Sequence, residues 1–182
     1  MKELEVRIID INIEDIRKKL FDLNTELVKK ENQINNIYDY PKRTLLNNKG
    51  YARIRSVEDL LKNEKRFYMT VKKLVSQEKY KIMDEFETLI DDEVQGKKIF
   101  EALGLELIES IQKYRESYKF KNSLIEIDIN DKSFCPFPYI EIESHDENEL
   151  EEIVNLLGYN MSDTTSSTIY ELLNNKGVVK GL

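Results

Sequence analysis

Charged residues recur two apart along this chain, and most such sets carry a single sign. Glu3, Glu5 and Arg7 fall in ELEVR, Arg53 and Arg55 in ARIRS, and Lys113 and Arg115 in KYR. Glu85 and Glu87 flank Phe86 in EFE, Glu126 and Asp128 lie in IEIDIN, Glu141 and Glu143 lie in IEIE, and Lys72 closes TVK. In an extended chain successive side chains point to opposite faces. Each set therefore stands on one face, its members roughly 6.6 Å apart at about 3.3 Å of rise per residue. Carboxylates so placed suit a hard divalent cation such as Mg²⁺ or Mn²⁺, which takes oxygen ligands and engages phosphates as well. Arginine offers planar, bidentate donors to phosphate oxygens and keeps its charge. Arg53, Arg55 and Arg115, with Lys72 and Lys113, supply enough positive charge for a polyphosphate. Phosphoryl transfer asks for positioning and charge stabilisation more than for a covalent nucleophile. The chain has one His and one Cys, and no Ser-His or Cys-His pair suggests a nucleophile. LNNKGYAR holds a single glycine and no GxxxxGK[ST], so side chains, not a glycine cradle, would hold phosphate.

The elements that carry these sets are mostly strands, since the dominant hydropathy period is two. Strands are expected near 3–10, 34–40, 50–57, 66–73, 80–90, 108–120, 123–130 and 138–144. Four amphipathic helices are expected in NIEDIRKKLFDLN, DDEVQGKKIFEALG, DENELEEIVNLLG and SSTIYELLNNKG. Asn12 and Asp146 suit N-caps, and Gly104 and Gly158 suit left-handed stops. The fold class is α+β, with an antiparallel sheet large enough to close on itself. Two readings of the charged faces follow. In one, they are the wet side of a half-buried sheet. In the other, they converge on a shared cavity, because like charges crowded on one face are unfavourable in water-facing strands. The apolar alternates would then face outward beneath the helices, inverting the packed interior of an ordinary small barrel.

The 182 residues suffice for one well-cored domain, taken as 1–182, and the net charge of −7 opposes nucleic acid and anionic membrane as partners. The single Cys135 and single His145 exclude an internal disulfide and a thiolate/imidazole zinc site. With no signal-like segment and no long apolar run, a cytoplasmic location is expected. Whether the chain forms a homodimer stays open.

ELEVR resembles the ExExK signature of the CYTH superfamily, the triphosphate tunnel metalloenzymes. The likeness continues through YDYP (38–41), ARIRS (52–56), TVK (70–72), EFE (85–87), KYR (113–115), IEIDIN (125–130) and IEIE (140–143). It ends in SSTIYELL (166–173). The motifs are individually weak, but their ordered set spans nearly the whole chain. The resemblance implies an eight-stranded antiparallel closed β-barrel with a charged interior and covering helices. It implies metal binding by Glu3, Glu5, Asp128, Glu141 and Glu143, with Asp128 a better match than Glu126. Arg53, Arg55, Lys72 and Arg115 would grip a triphosphate, with Lys113 in support. The implied catalytic set is Arg7, Lys72, Glu85 and Glu87, the last two positioning a second metal or orienting the basic residues. Arg7 replaces the usual lysine and cannot act as a base, while Met83 stands where an arginine is common and Lys81 is an open substitute.

The implied activity is a Mg²⁺- or Mn²⁺-dependent phosphohydrolase acting on tripolyphosphate, thiamine triphosphate or a nucleoside triphosphate. A class IV adenylyl cyclase and a non-catalytic polyphosphate sensor are the alternatives. For the remaining residues structural roles are expected: His145 at a helix entry, Cys135 incidental, KKEN (29–32) in a solvated loop, Tyr38 and Tyr40 in the core, and Tyr170 in helix packing.

Overall fold

The computed structural model describes residues 4–177, so Glu3 lies outside the described residues. The strands are β1 (Leu4–Ile9), β2 (Glu26–Asp39), β3 (Tyr51–Asp59), β4 (Glu64–Gln77), β5 (Lys81–Ile90), β6 (Glu106–Phe120), β7 (Ser123–Asn130) and β8 (Tyr139–Ser144). They form a closed antiparallel barrel in the order β1-β5-β4-β3-β2-β6-β7-β8. The helices are α1 (Ile13–Asp22), α2 (Thr44–Asn47), α3 (Glu93–Ala102), α4 (Glu147–Leu156) and α5 (Ile169–Asn175). None of these helices is long and apolar enough to cross a membrane.

The period-two pattern decides what lies on each side of the wall. Val6, Ile8, Ile125, Ile127, Ile140 and Ile142 face outward and pack beneath α1 and α4, against Ile16, Leu20, Leu150, Ile153, Val154 and Leu157. Each such side chain contributes roughly 1.5–3 kcal/mol on burial. A second outer cluster joins Ala52 and Ile54 to Phe100 of α3 and to Leu105. The caps are those the sequence suggests: Asn12 Oδ1 accepts from Glu14 N at 3.1 Å, and Asp146 Oδ1 accepts from Glu149 N at 2.9 Å. At one end of the lumen Ile37, Ile111 and Tyr139 pack on Phe134 and on Leu173 of α5.

Two expectations are corrected and one element is added. KKEN is strand, not loop: β2 begins at Glu26 and pairs along β6, with Lys29 opposite Ser117 and Glu31 opposite Arg115. Its inward positions are Glu31, Gln33 and Asn35, so the apolar alternation that marks a strand is missing there. Tyr40 is 40% exposed, whereas Tyr38 is core, edge-on to Phe100 at 5.3 Å between ring centroids. The short helix α2 was not anticipated, because it is held from outside itself. The buried Asp39 carboxylate accepts from Leu45 N at 2.9 Å and from Leu46 N at 2.8 Å.

Candidate functional site

Inside the barrel lies a cavity of about 620 Å³ whose walls are charged. The inward alternates of each strand build it: Glu5 and Arg7 from β1, Arg53 and Arg55 from β3, Lys72 from β4, and Lys81, Met83, Glu85 and Glu87 from β5. Lys113 and Arg115 of β6, Glu126 of β7, and Glu141 and Glu143 of β8 add to it, with Lys29 and Asn35 of β2 between the two sides.

One wall is basic. Arg55 Nη2 donates to both oxygens of Glu87 at 3.0 and 2.9 Å, and Thr70 Oγ1 donates to Glu87 Oε2 at 2.7 Å. Arg53 reaches Glu87 at 3.3 Å and Glu85 at 3.6 Å, and Lys72 Nζ lies 2.6 Å from Glu85 Oε2. Glu85 and Glu87 thus brace the cationic row from β5. The Nε atoms of both Arg53 and Arg55 are buried with no partner among the described residues. Unsatisfied donors of this kind fit an anionic guest. Burial lowers the affinity of Arg55 for its proton, and Arg53 adds to that effect. Gly50 permits the closeness of this wall, since a Cβ there would stand 2.5 Å from the Lys72 carbonyl oxygen. Tyr51 then pairs in register with Lys72. Burial would raise the Tyr51 phenol, but Arg53, Lys72 and Lys81 together bring it below its usual value.

The opposite wall is acidic, and register explains why it is crowded. Glu5 of β1 sits directly across from Glu143 of β8, and Glu141 of β8 directly across from Glu126 of β7. Like charges facing each other across strands are unfavourable. One carboxylate oxygen from each of Glu126, Glu141 and Glu143 lies within 4.8 Å of the others. Cations offset part of the repulsion. Arg7 Nε donates to Glu141 at 2.6 Å, and its remaining nitrogens are spent on Glu5 and on the Ser167 carbonyl. Lys81 pairs with Glu5, and Arg115 pairs with Glu141 at 2.8 Å and also with Glu126. Glu143 has no hydrogen-bond or ion-pair partner among the described residues. Burial, then Glu126, Glu5 and Glu141, push its carboxyl up to about 8. Three converging carboxylates, one of them unpartnered, are the donor set a hard divalent cation prefers.

Asp128 has a different neighbourhood. Arg115 grips it bidentately, Nε to Oδ1 and Nη2 to Oδ2 both at 2.6 Å, and Lys113 Nζ donates to it at 2.9 Å. Burial works against its ionisation, yet Arg115 and Lys113 keep its pKa below the ordinary value. Lys113 is lowered in turn, because burial and Arg115 outweigh Asp128. Asp128 holds two cations, while Glu126, which pairs with Arg115 and accepts from the Ser117 hydroxyl at 2.7 Å, is the β7 carboxylate that lies beside Glu141 and Glu143. Both residues sit on the inward face of β7, so alternation could not choose between them. Lys81 is the residue most easily missed in the sequence. Its signal is the spacing of two that links it through Met83 to Glu85 and Glu87.

A family model described as the CYTH domain matches residues 1–168. No curated protein matches the chain. Among solved structures, a Pyrococcus horikoshii protein is 24% identical with a TM-score of 0.76, covering 96% of this chain and 99% of its own. A candidate adenylate cyclase from Vibrio parahaemolyticus is 18% identical with a TM-score of 0.75, covering 96% and 98%. A candidate adenylyl cyclase from Hippeastrum, described as having a dominant triphosphatase activity, is 15% identical with a TM-score of 0.70, covering 100% and 98%. At these identities the likeness is one of fold. With the family model running over most of its length, this chain belongs to the CYTH domain family.

Proposed function

We propose that the protein is a divalent-metal-dependent triphosphatase that hydrolyses a triphosphate lodged in the barrel lumen. The observation that carries this reading is the split of one buried cavity into a braced cationic wall and a like-charged acidic corner. In this reading Arg53, Arg55 and Lys72 bind the phosphate oxygens, with Lys113 and Arg115 alongside. Glu85, Glu87 and Asp128 hold those cations in place. Glu126, Glu141 and Glu143 would hold Mg²⁺ or Mn²⁺, with Glu5 behind them. Arg7 keeps Glu5 and Glu141 turned inward and serves as neither base nor phosphate ligand, all three of its guanidinium nitrogens being engaged. Bound there, the cation would supply charge neutralisation and polarise phosphoryl oxygens. Water attacks the terminal phosphorus, the bridging P–O bond breaks, and diphosphate leaves while the arginines hold the developing charge.

The test incubates purified protein with Mg²⁺ or Mn²⁺ and tripolyphosphate, thiamine triphosphate or nucleoside triphosphates. Release of orthophosphate that stops with a chelator is expected. Cyclic AMP with pyrophosphate from ATP would replace hydrolysis with cyclisation, and tight binding without product would make the protein a sensor.

A further inference from the structure

The seam of the barrel is narrow. Among the described residues β1 and β5 share one register pair, Glu5 opposite Lys81. Two residues further along β1 the neighbour is a strap, residues 164–168, between α4 and α5. Arg7 N donates to Thr165 O and Thr165 N donates to Arg7 O, both at 2.9 Å. The strap leads into α5, whose Leu173 packs at one end of the lumen. Gln77, the last residue of β4, fastens it from the other side of the seam. Its Nε2 donates to Ser166 O and to Glu171 Oε2 of α5, both at 2.9 Å, and its Oε1 accepts from Lys49 Nζ. Ser166 Oγ adds a bond to Glu78 O at 3.0 Å.

The next carbonyl along the strap, Ser167 O, accepts from Arg7 Nη1 at 2.6 Å. The other two nitrogens of Arg7 hold Glu141 and Glu5, and Glu141 is one of the three converging carboxylates. A guanidinium is planar and carries its donors in a fixed fork. With Nη1 held by the strap, the directions of Nε and Nη2 are set, and so are the positions of both carboxylates. A lysine ammonium, with its rotatable donors, would set no such plane. Carboxylates that ligate a metal depend on hydrogen bonds from behind, and losing such support lowers metal affinity about ten- to hundredfold. We propose that Gln77 is a positioning residue for the acidic corner: it fixes the strap, the strap fixes Arg7, and Arg7 holds Glu141 and Glu5 where a cation needs them. This rests on the triphosphatase reading and adds to it a residue outside the cavity wall.

The test titrates Mn²⁺ into wild type, Gln77→Leu and Glu116→Ala by calorimetry. Gln77→Leu keeps the bulk of the side chain and removes its amide, while Glu116→Ala loosens the wall on its outer side. Gln77→Leu should bind Mn²⁺ at least about tenfold more weakly than wild type, and Glu116→Ala within twofold of it. Equal affinity in wild type and Gln77→Leu overturns the proposal, and so does an equal loss in both variants, which would mark a general softening of the fold. Coupling between two sites is reciprocal, so saturating Mn²⁺ should slow hydrogen exchange at the Thr165 amide of wild type. An unchanged exchange rate rejects the link between strap and metal. Should wild type bind Mn²⁺ yet release phosphate from no triphosphate, the triphosphatase reading fails while these affinities still decide the role of Gln77. Should wild type bind no Mn²⁺, both are rejected.

Discussion

Glu116 and Glu143 are the same residue type on neighbouring parts of one barrel, both largely withdrawn from water, and the protein treats them oppositely. Glu116 faces outward from β6. It accepts from Arg17 Nε at 3.0 Å, Arg17 Nη2 at 2.9 Å, the Tyr114 hydroxyl at 2.6 Å and the Tyr118 hydroxyl at 2.9 Å. Burial alone would raise its pKa, but Arg17 and the two phenols hold it below the ordinary value. Glu143 faces inward, meets Glu5 across the strand pair, and is pushed up to about 8. A carboxylate that ties a helix to the wall is given its donors in full. The inward one is left beside further acids, an arrangement that costs stability and makes sense if a cation completes it.

The largest expected effect lies on the inward side. Glu143→Gln should reduce metal-dependent turnover by about 100-fold or more, since the cation's contribution to the barrier is worth several kcal/mol. The same substitution removes a carboxyl that the fold keeps only by raising its pKa to about 8, so its unfolding temperature at neutral pH should match or exceed that of wild type. Retained turnover, or a large loss of stability, would erase the contrast with Glu116. Arg55→Ala should likewise cut kcat/KM on tripolyphosphate by at least tenfold with little change in secondary structure by circular dichroism.

Next in size is the outward side. Glu116→Ala leaves two half-buried hydroxyls and a guanidinium short of an acceptor, and should cost about 2–3 kcal/mol. For a chain of this length that is a fall of roughly 4–12 °C in unfolding temperature, with kcat below the transition within about twofold of wild type. A fall in kcat of tenfold would show that α1 and the wall beneath it take part in catalysis.

The smallest effect concerns acid. The folded-state pKa of Glu116 is lower than its ordinary value of 4.5. Its stabilisation is therefore fully present above that ordinary value and is lost as pH falls through the folded value. Denaturant midpoints measured from pH 6 down to pH 3 should fall in wild type and fall less steeply in Glu116→Gln. Identical slopes would mean that other carboxylates govern acid sensitivity.

The sequence made the two faces of each strand readable, because a period of two assigns Val6 and Ile8 to one side and Glu5 and Arg7 to the other. It did not say which side is inside. The density of like charges, such as Arg53 with Arg55 and Glu141 with Glu143, left a wet face and an inward face both open, and it was the resemblance to a known family that implied a charged interior. The N-terminal half of β2 was hidden because Glu31, Gln33 and Asn35 fill inward positions with polar groups, so no alternation of hydropathy remains. α2 was hidden because its anchor, Asp39, lies outside the helix in β2. Glu126 and Asp128 share a face and both meet Arg115, and what separates them is three-dimensional: Lys113 adds itself to Asp128 while Glu126 stands beside Glu141 and Glu143.

Calorimetric titration of Mn²⁺ into wild type and into Glu143→Gln, each in the presence of tripolyphosphate, addresses the acidic corner most directly. Wild type should bind the ion, and the variant at least about tenfold more weakly at an undiminished unfolding temperature. Equal affinity in the two proteins, or no binding to wild type, would contradict a metal seat formed by Glu126, Glu141 and Glu143.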